Sequence, residues 1–519
     1  MRTFFFCILA AGLVYSGCSF SQNTNISNGY FFDGEPYLAI NPVNPQHIVV
    51  AWMGYTFGTP LSIKTIVSFN RGKTWSSPVT LPHFSPSFQS ADPSMVFDSA
   101  GNPIACYIDY HESPDSGGIY LVKSTDGGLT WNYLSKALDA HSDGSKIPVD
   151  RPWLTISRPE NHLYITSKPA PWITPPNRPY FISSADDGLT WNSWRYIDGP
   201  GYLAGSFIKA PMAAPAVSAD GAFHCMYPSW VITQNILPGY IHAKTADNGH
   251  SFTYNGACYS TSGISDTLAK AGGNLAADPA DPRHLAFVFL GSSFGDLDVF
   301  CIESFDDGVG WSVPYRINTD PAGNGKMQDL AWSTFDAGGN FVVAWRDRRN
   351  GAGTGYAEAS EIWGALRWKD STNFTRNFKI SDTLAEYRNV LSLNGNDFMT
   401  LSVSNDTLHA AWGDTRSGIL NIWYSQTDLH SLNSTGIRNI VHEPVPVVSI
   451  FPNPGSNVFH FRGNTVTGVE VYDVNGKMVM DQLSNKPIGQ VDLSDISPGV
   501  YLFLLKTDRG NLHVRIIRN

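Results

Sequence analysis

The string STDGGLTW at residues 124–131 returns as SADDGLTW (184–191), SFDDGVGW (304–311), TADNGHSF (245–252) and SFNRGKTW (68–75), where Asn70 replaces the acid. Each copy reads Ser/Thr-x-Asp-x-Gly-x-x-aromatic, a pattern suited to a tight turn between antiparallel strands. The Asp carboxylate accepts hydrogen bonds from turn amides, the Gly takes a positive φ without steric cost, and the ring packs beneath the turn. Such a turn is a fastener, so chemistry is expected elsewhere. The copies begin 56 to 61 residues apart, and a regular period points to an array of modules that bury their faces against one another.

The period continues past the last clear copy. FVVAWRDRRNG…EIWGALRW (341–368) aligns with LHAAWGDTRSGILNIWYSQ (408–426), matching Trp345 to Trp412 and Trp363 to Trp423, with degenerate copies expected near Ala365 and Ser425. Within each unit an apolar strand, a second strand, a variable loop, a third strand, the box and a fourth strand follow in order. Four strands per unit read as a propeller blade. The seventh unit runs out after three strands, and residues 25–32 are expected to pair there and close the ring, removing exposed sheet edges. The boxes resemble the Asp-boxes, or BNR repeats, of sialidase-like β-propellers, where they lie on the face away from the active-site mouth. The expected fold is all-β: a seven-bladed β-propeller over residues 22–430, followed by a small C-terminal β-sandwich.

Composition agrees with many short strands: 13% aromatic residues, 47 Gly and 33 Pro, with no long 3.6-period apolar stretch. A net charge of −10 and the absence of any Lys/Arg-rich run exclude a nucleic-acid partner. Arg2, the apolar run Phe4 to Tyr15 and the small residues before Gln22 read as a secretory signal over residues 1–21. The alternative is lipidation at Cys18, against which Tyr15 is poorly placed in the lipobox. After such a cut Cys106, Cys225, Cys258 and Cys301 remain. They stand singly in strand-like runs, without zinc-site spacing, and either pair across neighbouring strands or stay buried thiols. No metal or other cofactor is expected, and no later stretch is long and apolar enough to span a membrane.

Residues 431–446 read as a Pro-containing polar linker. From residue 447 the strings FPNPGSNVFHF, GVEVYDVNGKMVM, QVDLSDISPGVYLFLLKTDRG and LHVRIIRN alternate apolar and polar residues, with hairpin turns at Asn475-Gly476 and Asp508-Arg509-Gly510. Pro452-Asn453-Pro454, Tyr472-Asp473 with Asn475-Gly476-Lys477, and Ser497-Pro498-Gly499-Val500-Tyr501 resemble the type A C-terminal sorting domain of the type IX secretion system of Bacteroidetes. The resemblance implies export by that machinery and a mature protein that is secreted or held at the cell surface.

Propeller ligands sit over the channel mouth, on loops entering each first strand and joining second to third strands. Those positions hold Asp33, Glu35, Asp92, Asp150, Arg151, Lys209, Asn274, Asp329 and Asp397, then Asp109, His111, Glu112, Trp172, Trp230, Arg346, Asp347, Arg348, Asp414 and Arg416. Such a set suits a hydroxyl-rich or carboxylated ligand. Asp92, Asp150 and Asp329 are the candidate catalytic carboxylates, and Arg151, Arg346 and Arg416 the candidate substrate-binding arginines. The opposing reading is that the repeated AWRDRRNG and AWGDTRSG are Asp-Arg pairs that hold loops. Sialidases of the resembled superfamily carry an Arg-Ile-Pro motif near the domain start. The nearest string here, Tyr315-Arg316-Ile317-Asn318, falls in a fourth strand, which argues against sialidase activity. His47, His162 and His284 stand at turns or strand starts and are expected to be hydrogen-bonded at the surface. Two functions stay open: a glycosidase or polysaccharide lyase on extracellular carbohydrate or glycoconjugate, and a non-catalytic module binding glycan or protein. Carboxylates about 5 to 9.5 Å apart beside an arginine would favour hydrolysis, and dispersed acids would favour binding.

Overall fold

A computed structural model describes residues 22–519 except 112–115, 145–148, 159, 171–172, 174–175, 206–210, 232, 235–237, 260–272, 389–395, 435–447, 474–476 and 509. The signal segment, most of the linker, the Asn475-Gly476 turn, Glu112, Trp172 and Lys209 fall outside the described residues.

Among the described residues the chain is all-β with no α-helix, and residues 24–428 form seven four-stranded antiparallel sheets. Their first strands are Phe32–Ile40, Phe88–Phe97, Val149–Ser157, Ala214–Val217, Gly273–Ala277, Gln328–Phe335 and Thr400–Ser404. Each first strand contacts the first strand of the next sheet, and the seventh contacts the first. The core lies between sheets. Val49, Ile63 and Val67 of the first sheet pack on Met95, Phe97 and Tyr107 of the second, and similar clusters join later neighbours. The last joins Ala411, Ile422 and Tyr424 of the seventh sheet to Ile48, Val50 and Trp52 of the first. This arrangement is compatible with a propeller.

The N-terminus supplies the fourth strand of the seventh sheet. Thr24–Asn25 pairs with Tyr424 and Trp423, and the Ile26 amide donates to the Ile422 carbonyl at 2.9 Å. The pairing segment is shorter and earlier than residues 25–32, because Phe32 already belongs to the first strand of sheet one. Ser425 sits inside Asn421–Asp428, so that strand carries no box there. The turn expected near Ala365 instead follows the strand Glu361–Arg367, at Trp368.

The five clear boxes are turns with one hydrogen-bond plan. Ser124 Oγ donates to Asp126 at 2.7 Å and accepts the Gly128 amide at 2.7 Å, and Asp126 accepts the Thr130 amide at 2.9 Å and its hydroxyl at 2.6 Å. The Thr130 hydroxyl and amide hold the Asp126 carboxyl down at about 2. Asp186, Asp247 and Asp306 are lowered by comparable bonds. The glycines also abut the preceding sheet: a Cβ on Gly188 would lie 3.2 Å from Leu134 Cδ2 of sheet two, as well as 2.9 Å from Leu163 Cδ1 of its own sheet, at a φ of +85°. The residue before that glycine latches the same boundary. Asp187 pairs with Lys123, Asp307 with Lys244, and Asn248 accepts the Tyr164 hydroxyl at 2.8 Å.

In the C-terminal part, a three-stranded sheet (Val448–Phe451, Val458–Gly463, Gln490–Asp492) and a four-stranded sheet (Val466–Asp473, Met478–Leu483, Gly499–Thr507, Gly510–Arg518) share one apolar cluster around Phe459, Val471, Val491 and Phe503. All four described cysteines are free thiols, three of them buried, so no pairing across neighbouring strands forms among them. His47 and His284 are not surface groups. His47 is buried between Asn41 and the Gly127 carbonyl, and His284 between Asp278 and Glu303, each stitching strand turns together.

Gly188→Ala places a Cβ against sheet two at a backbone angle L-residues resist. Thermal unfolding should report a loss of about 1–3 kcal/mol. The depressed box carboxyls make the fold acid-sensitive with a defined sign. Their stabilisation is complete above about pH 4 and is lost as pH falls toward about 2. Melting followed by circular dichroism should show that decline, and Asp126→Asn should flatten it.

Candidate active site

Four first strands carry an extra residue at their entry. The pairing register slips between Gly34 and Tyr37, Ala91 and Ser94, Asp150 and Trp153, and Asp329 and Trp332. At these β-bulges Glu35, Asp92, Arg151 and Leu330 adopt φ of 57°, 55°, 49° and 52°. Left-handed backbone at a non-glycine residue costs about 1–3 kcal/mol and clusters at functional sites. Bulges re-aim side chains, and three of these four present an ionisable group at the mouth.

Asp92 is the centre of the resulting cluster. Its carboxyl is in hydrogen-bond contact with both Glu35 and Asp150, and one oxygen accepts the Arg151 amide at 3.2 Å. Burial, then the like charges of Glu35 and Asp150, push the Asp92 carboxyl well above the ordinary carboxylate range, which favours its protonated form. Asp150 behaves oppositely. Burial works to raise it, but Lys168, the Asp92 hydrogen bond and Arg151 more than offset that and leave it ionised. Lys168, itself buried, forms an ion pair with Asp150, and Arg151 pairs with Asp397. Burial works to lower the Arg151 guanidinium, but Asp397, then Asp150, Asp92 and Glu35, raise it.

The same bulged strands carry an aromatic floor. Tyr37, Trp153 and Trp332 each stand two residues after a bulge. Their rings meet at centroid distances of 5.8 Å (Tyr37–Trp153), 6.0 Å (Tyr37–Trp332) and 5.2 Å (Trp153–Trp332), and Phe398 lies 5.0 Å from Trp153. Sheets one, three and six are not neighbours, so rings from them can touch only across the middle of the array. Burial raises the Tyr37 hydroxyl to about 12. The Trp153 indole donates to Met212 Sδ at 3.1 Å.

The other expected site residues go elsewhere, which corrects the sequence reading. Asp329 is fully buried, accepting from Arg346 Nε at 2.7 Å, Arg348 at 3.2 Å and the Tyr356 hydroxyl at 2.7 Å. Arg346, at 3% exposure, has no face left for a ligand. Arg416 clamps Asp414 at 2.6 Å, pairs with Asp382 and stacks 4.3 Å over Trp423. Arg349 does the same with Asp347 at 2.7 Å and Trp363 at 4.1 Å. The repeated Asp-Arg strings are therefore loop clamps. Asp109 is buried under His83, Ser90 and the Phe84 amide. Asp33 holds Trp52 and Lys64, and Asn274 stitches to Ser333 of sheet six. Arg316 of the misplaced Arg-Ile string binds Asp298 at 2.6 Å.

Sequence reasoning missed Lys168 and the aromatic floor, though both left a trace. Lys168 stands opposite Asp150 as Arg346 stands opposite Asp329, so aligning ITSKP with VAWRD finds it. The strings Glu35-Pro36-Tyr37, Arg151-Pro152-Trp153 and Leu330-Ala331-Trp332 align the three rings.

These environments predict opposite responses to neutralising an acid. Asp329→Ala strands two buried guanidiniums and should cost about 3–5 kcal/mol in denaturant titrations. Asp92→Asn keeps a hydrogen-bonding group of the same size while removing a carboxyl that like charges disfavour, and should cost at least about 2 kcal/mol less than Asp329→Ala.

Residues 449–519 match the family model described as Secretion system C-terminal sorting domain. No curated protein matches the chain. Among solved structures it is similar to an α-L-arabinofuranosidase, Arb93A, of Fusarium graminearum in complex with an iminosugar inhibitor, at 13% identity and TM-score 0.46, covering 80% of this chain and 99% of that one. It is also similar to an α-L-arabinanase of Penicillium chrysogenum complexed with arabinobiose, at 12% identity and TM-score 0.43 over 79% and 98%. A mutant of the NanB sialidase of Streptococcus pneumoniae is similar at 11% identity and TM-score 0.42 over 79% and 71%. No helix among the described residues is long and apolar enough to cross a membrane. The tail, with its sorting-domain match, marks the chain as one handled by secretion machinery and delivered to the cell surface or beyond.

Proposed function

We propose that residues 22–430 are a seven-bladed β-propeller joined through residues 431–446 to a small β-sandwich sorting domain, and that the mouth cluster hydrolyses extracellular carbohydrate. The carrying observation is the split pair: Asp92 protonated by burial and like charge, and Asp150 ionised beside Lys168. Adjacent titratable groups pushed apart in this way mark an acid and its partner base. Asp92 is the proton donor to a leaving glycosidic oxygen, which takes the place of one of its present hydrogen bonds. Asp150, or Glu35 on the other side of Asp92, is the carboxylate that faces the sugar or the attacking water. The aromatic floor supports stacking of a sugar ring.

The ligand on this reading is neutral and hydroxyl-rich. Arg151 already answers Asp397 and sits among Glu35, Asp92 and Asp150, so a ligand carboxylate would enter a field of like charge. One observation favours a non-catalytic glycan-binding module instead: Asp92 and Asp150 touch, closer than the about 5 Å of a hydrolytic pair.

The test is incubation of the purified protein with arabinan, xylan, β-glucan and polygalacturonate, reading reducing ends and retention separately. Hydrolysis of a neutral polymer should drop by about 10²–10⁴ in Asp92→Asn and in Asp150→Asn. The rate should fall as pH rises through the raised Asp92 titration and as pH falls through the depressed Asp150 one. Retention on a polymer with no release of ends replaces the enzyme by the binding module.

A further inference from the structure

Fourth strands differ in length around the array. The second sheet ends in the eight-residue strand Asn132–Asp139, whereas the third ends in the two-residue strand Arg195–Tyr196. Residues 189–194, from the box turn of the third sheet to the segment before its short fourth strand, face the long strand. A cleft of about 540 Å³ remains on the outer flank, lined by Tyr133, Lys136, Leu189, Trp191, Ser193 and Trp194. It is separate from the mouth, since none of the acid-cluster residues lines it.

The cleft's chemistry is aromatic and polar, with Lys136 as the one charged lining residue. Tyr133 is 52% exposed and Leu189 62%, and the Trp191 and Trp194 rings are half-buried. Among the described residues no hydrogen bond engages the Tyr133 hydroxyl, the Ser193 hydroxyl or the Trp194 indole N–H. Lys136 is already satisfied: it pairs with Asp139 at 2.8 Å and lies 5.3 Å from the Phe84 ring centroid and 5.5 Å from that of Tyr120. Anions therefore find no open cation.

An added peptide strand is also disfavoured. The Ser135 hydroxyl donates to the Gly188 carbonyl at 2.5 Å and accepts the Trp191 indole at 2.9 Å, so the box turn of sheet three caps the strand midway. Two register slips against the third strand twist it further from a flat template. Ring faces beside unused donors and acceptors, with volume for several sugar units, fit a neutral oligosaccharide.

We propose that this flank cleft is a second carbohydrate site that holds a neutral glycan chain independently of the mouth. In an exported protein it would keep a polymer engaged while the mouth acts or binds elsewhere on it.

The test is affinity electrophoresis of the full chain in gels containing arabinan, xylan or β-glucan, with polygalacturonate as the acidic control. Measurements use wild type, Tyr133→Ala, Leu189→Asp and the mouth double variant Asp92→Asn/Asp150→Asn. Tyr133 and Leu189 are exposed, so both single variants should fold, which their melting curves verify. The expected result is retardation by at least one neutral gel, weakened about five- to tenfold by each flank variant. The mouth double variant should keep flank binding, measured as retention that Tyr133→Ala then removes. Retention unchanged in both folded flank variants, retention only by polygalacturonate, or none by any neutral gel overturns the proposal. The mouth reading is judged separately, by release of reducing ends in the flank variants.

Discussion

The seam between consecutive sheets is the constraint on which the rest depends. A four-stranded sheet with two apolar faces cannot stand alone in water, so each must be covered by the next. The boxes fix that stacking at its rim. Their carboxylates hold the turn from within, while the glycine and the residue before it reach the neighbouring sheet, as Gly188 meets Leu134 and Asp187 meets Lys123. One turn thus performs two tasks, which is why the string repeats so nearly unchanged. The seam between the seventh and first sheets is held by the Ser68 box, whose Gly72 and Trp75 meet Tyr424, and Ile26 from the N-terminal segment joins its apolar cluster.

With the seams held by local chemistry, the opposite rim is free to vary, and there the sheets differ. Three bulges present Glu35, Asp92 and Arg151, whereas the fourth presents the buried Leu330. The strain at each bulge is tolerated because four-stranded pairing and inter-sheet packing over-determine the backbone around it. A flexible loop could not hold Asp92 against both Glu35 and Asp150, since repulsion would drive them apart. Rigid sheets can.

What could be read from the chain follows this division. Period, strand order and boxes were legible because turn chemistry is written within eight residues, and Asp126, Thr130 and Gly128 explain one another. The tail was legible for the same reason, through its ordered turns and strands. The rim was only half legible. Asp150, Arg151, Asp329 and Arg346 all occupy rim positions, yet nothing local to AWRDRRNG says that Arg348 and Tyr356 fold back over Asp329 and seal it. Nor does anything near Asp92 announce Glu35, some sixty residues earlier, as its partner. Lys168 escaped notice because its meaning comes from a cross-strand position.

Asp150–Lys168 and Asp329–Arg346 make the contrast exact enough to carry a conclusion about the site. Both are ion pairs between the residue before a bulge and its partner on the second strand. Around Asp329, Arg348 adds a second positive charge and Tyr356 a further donor, so the carboxylate is fully satisfied and inert. Around Asp150 the added groups are Asp92 and Glu35, which are acids, and the single nearby guanidinium is drawn to Asp397. If holding the strands were the only task, the Asp329 solution, a carboxylate between two guanidiniums, would serve at both places. The frame at Asp150 instead carries an excess of carboxyls that only a shared proton makes tolerable. A buried proton shared among acids is what the proton-donor role proposed for Asp92 requires, and the Asp329 frame offers no such proton.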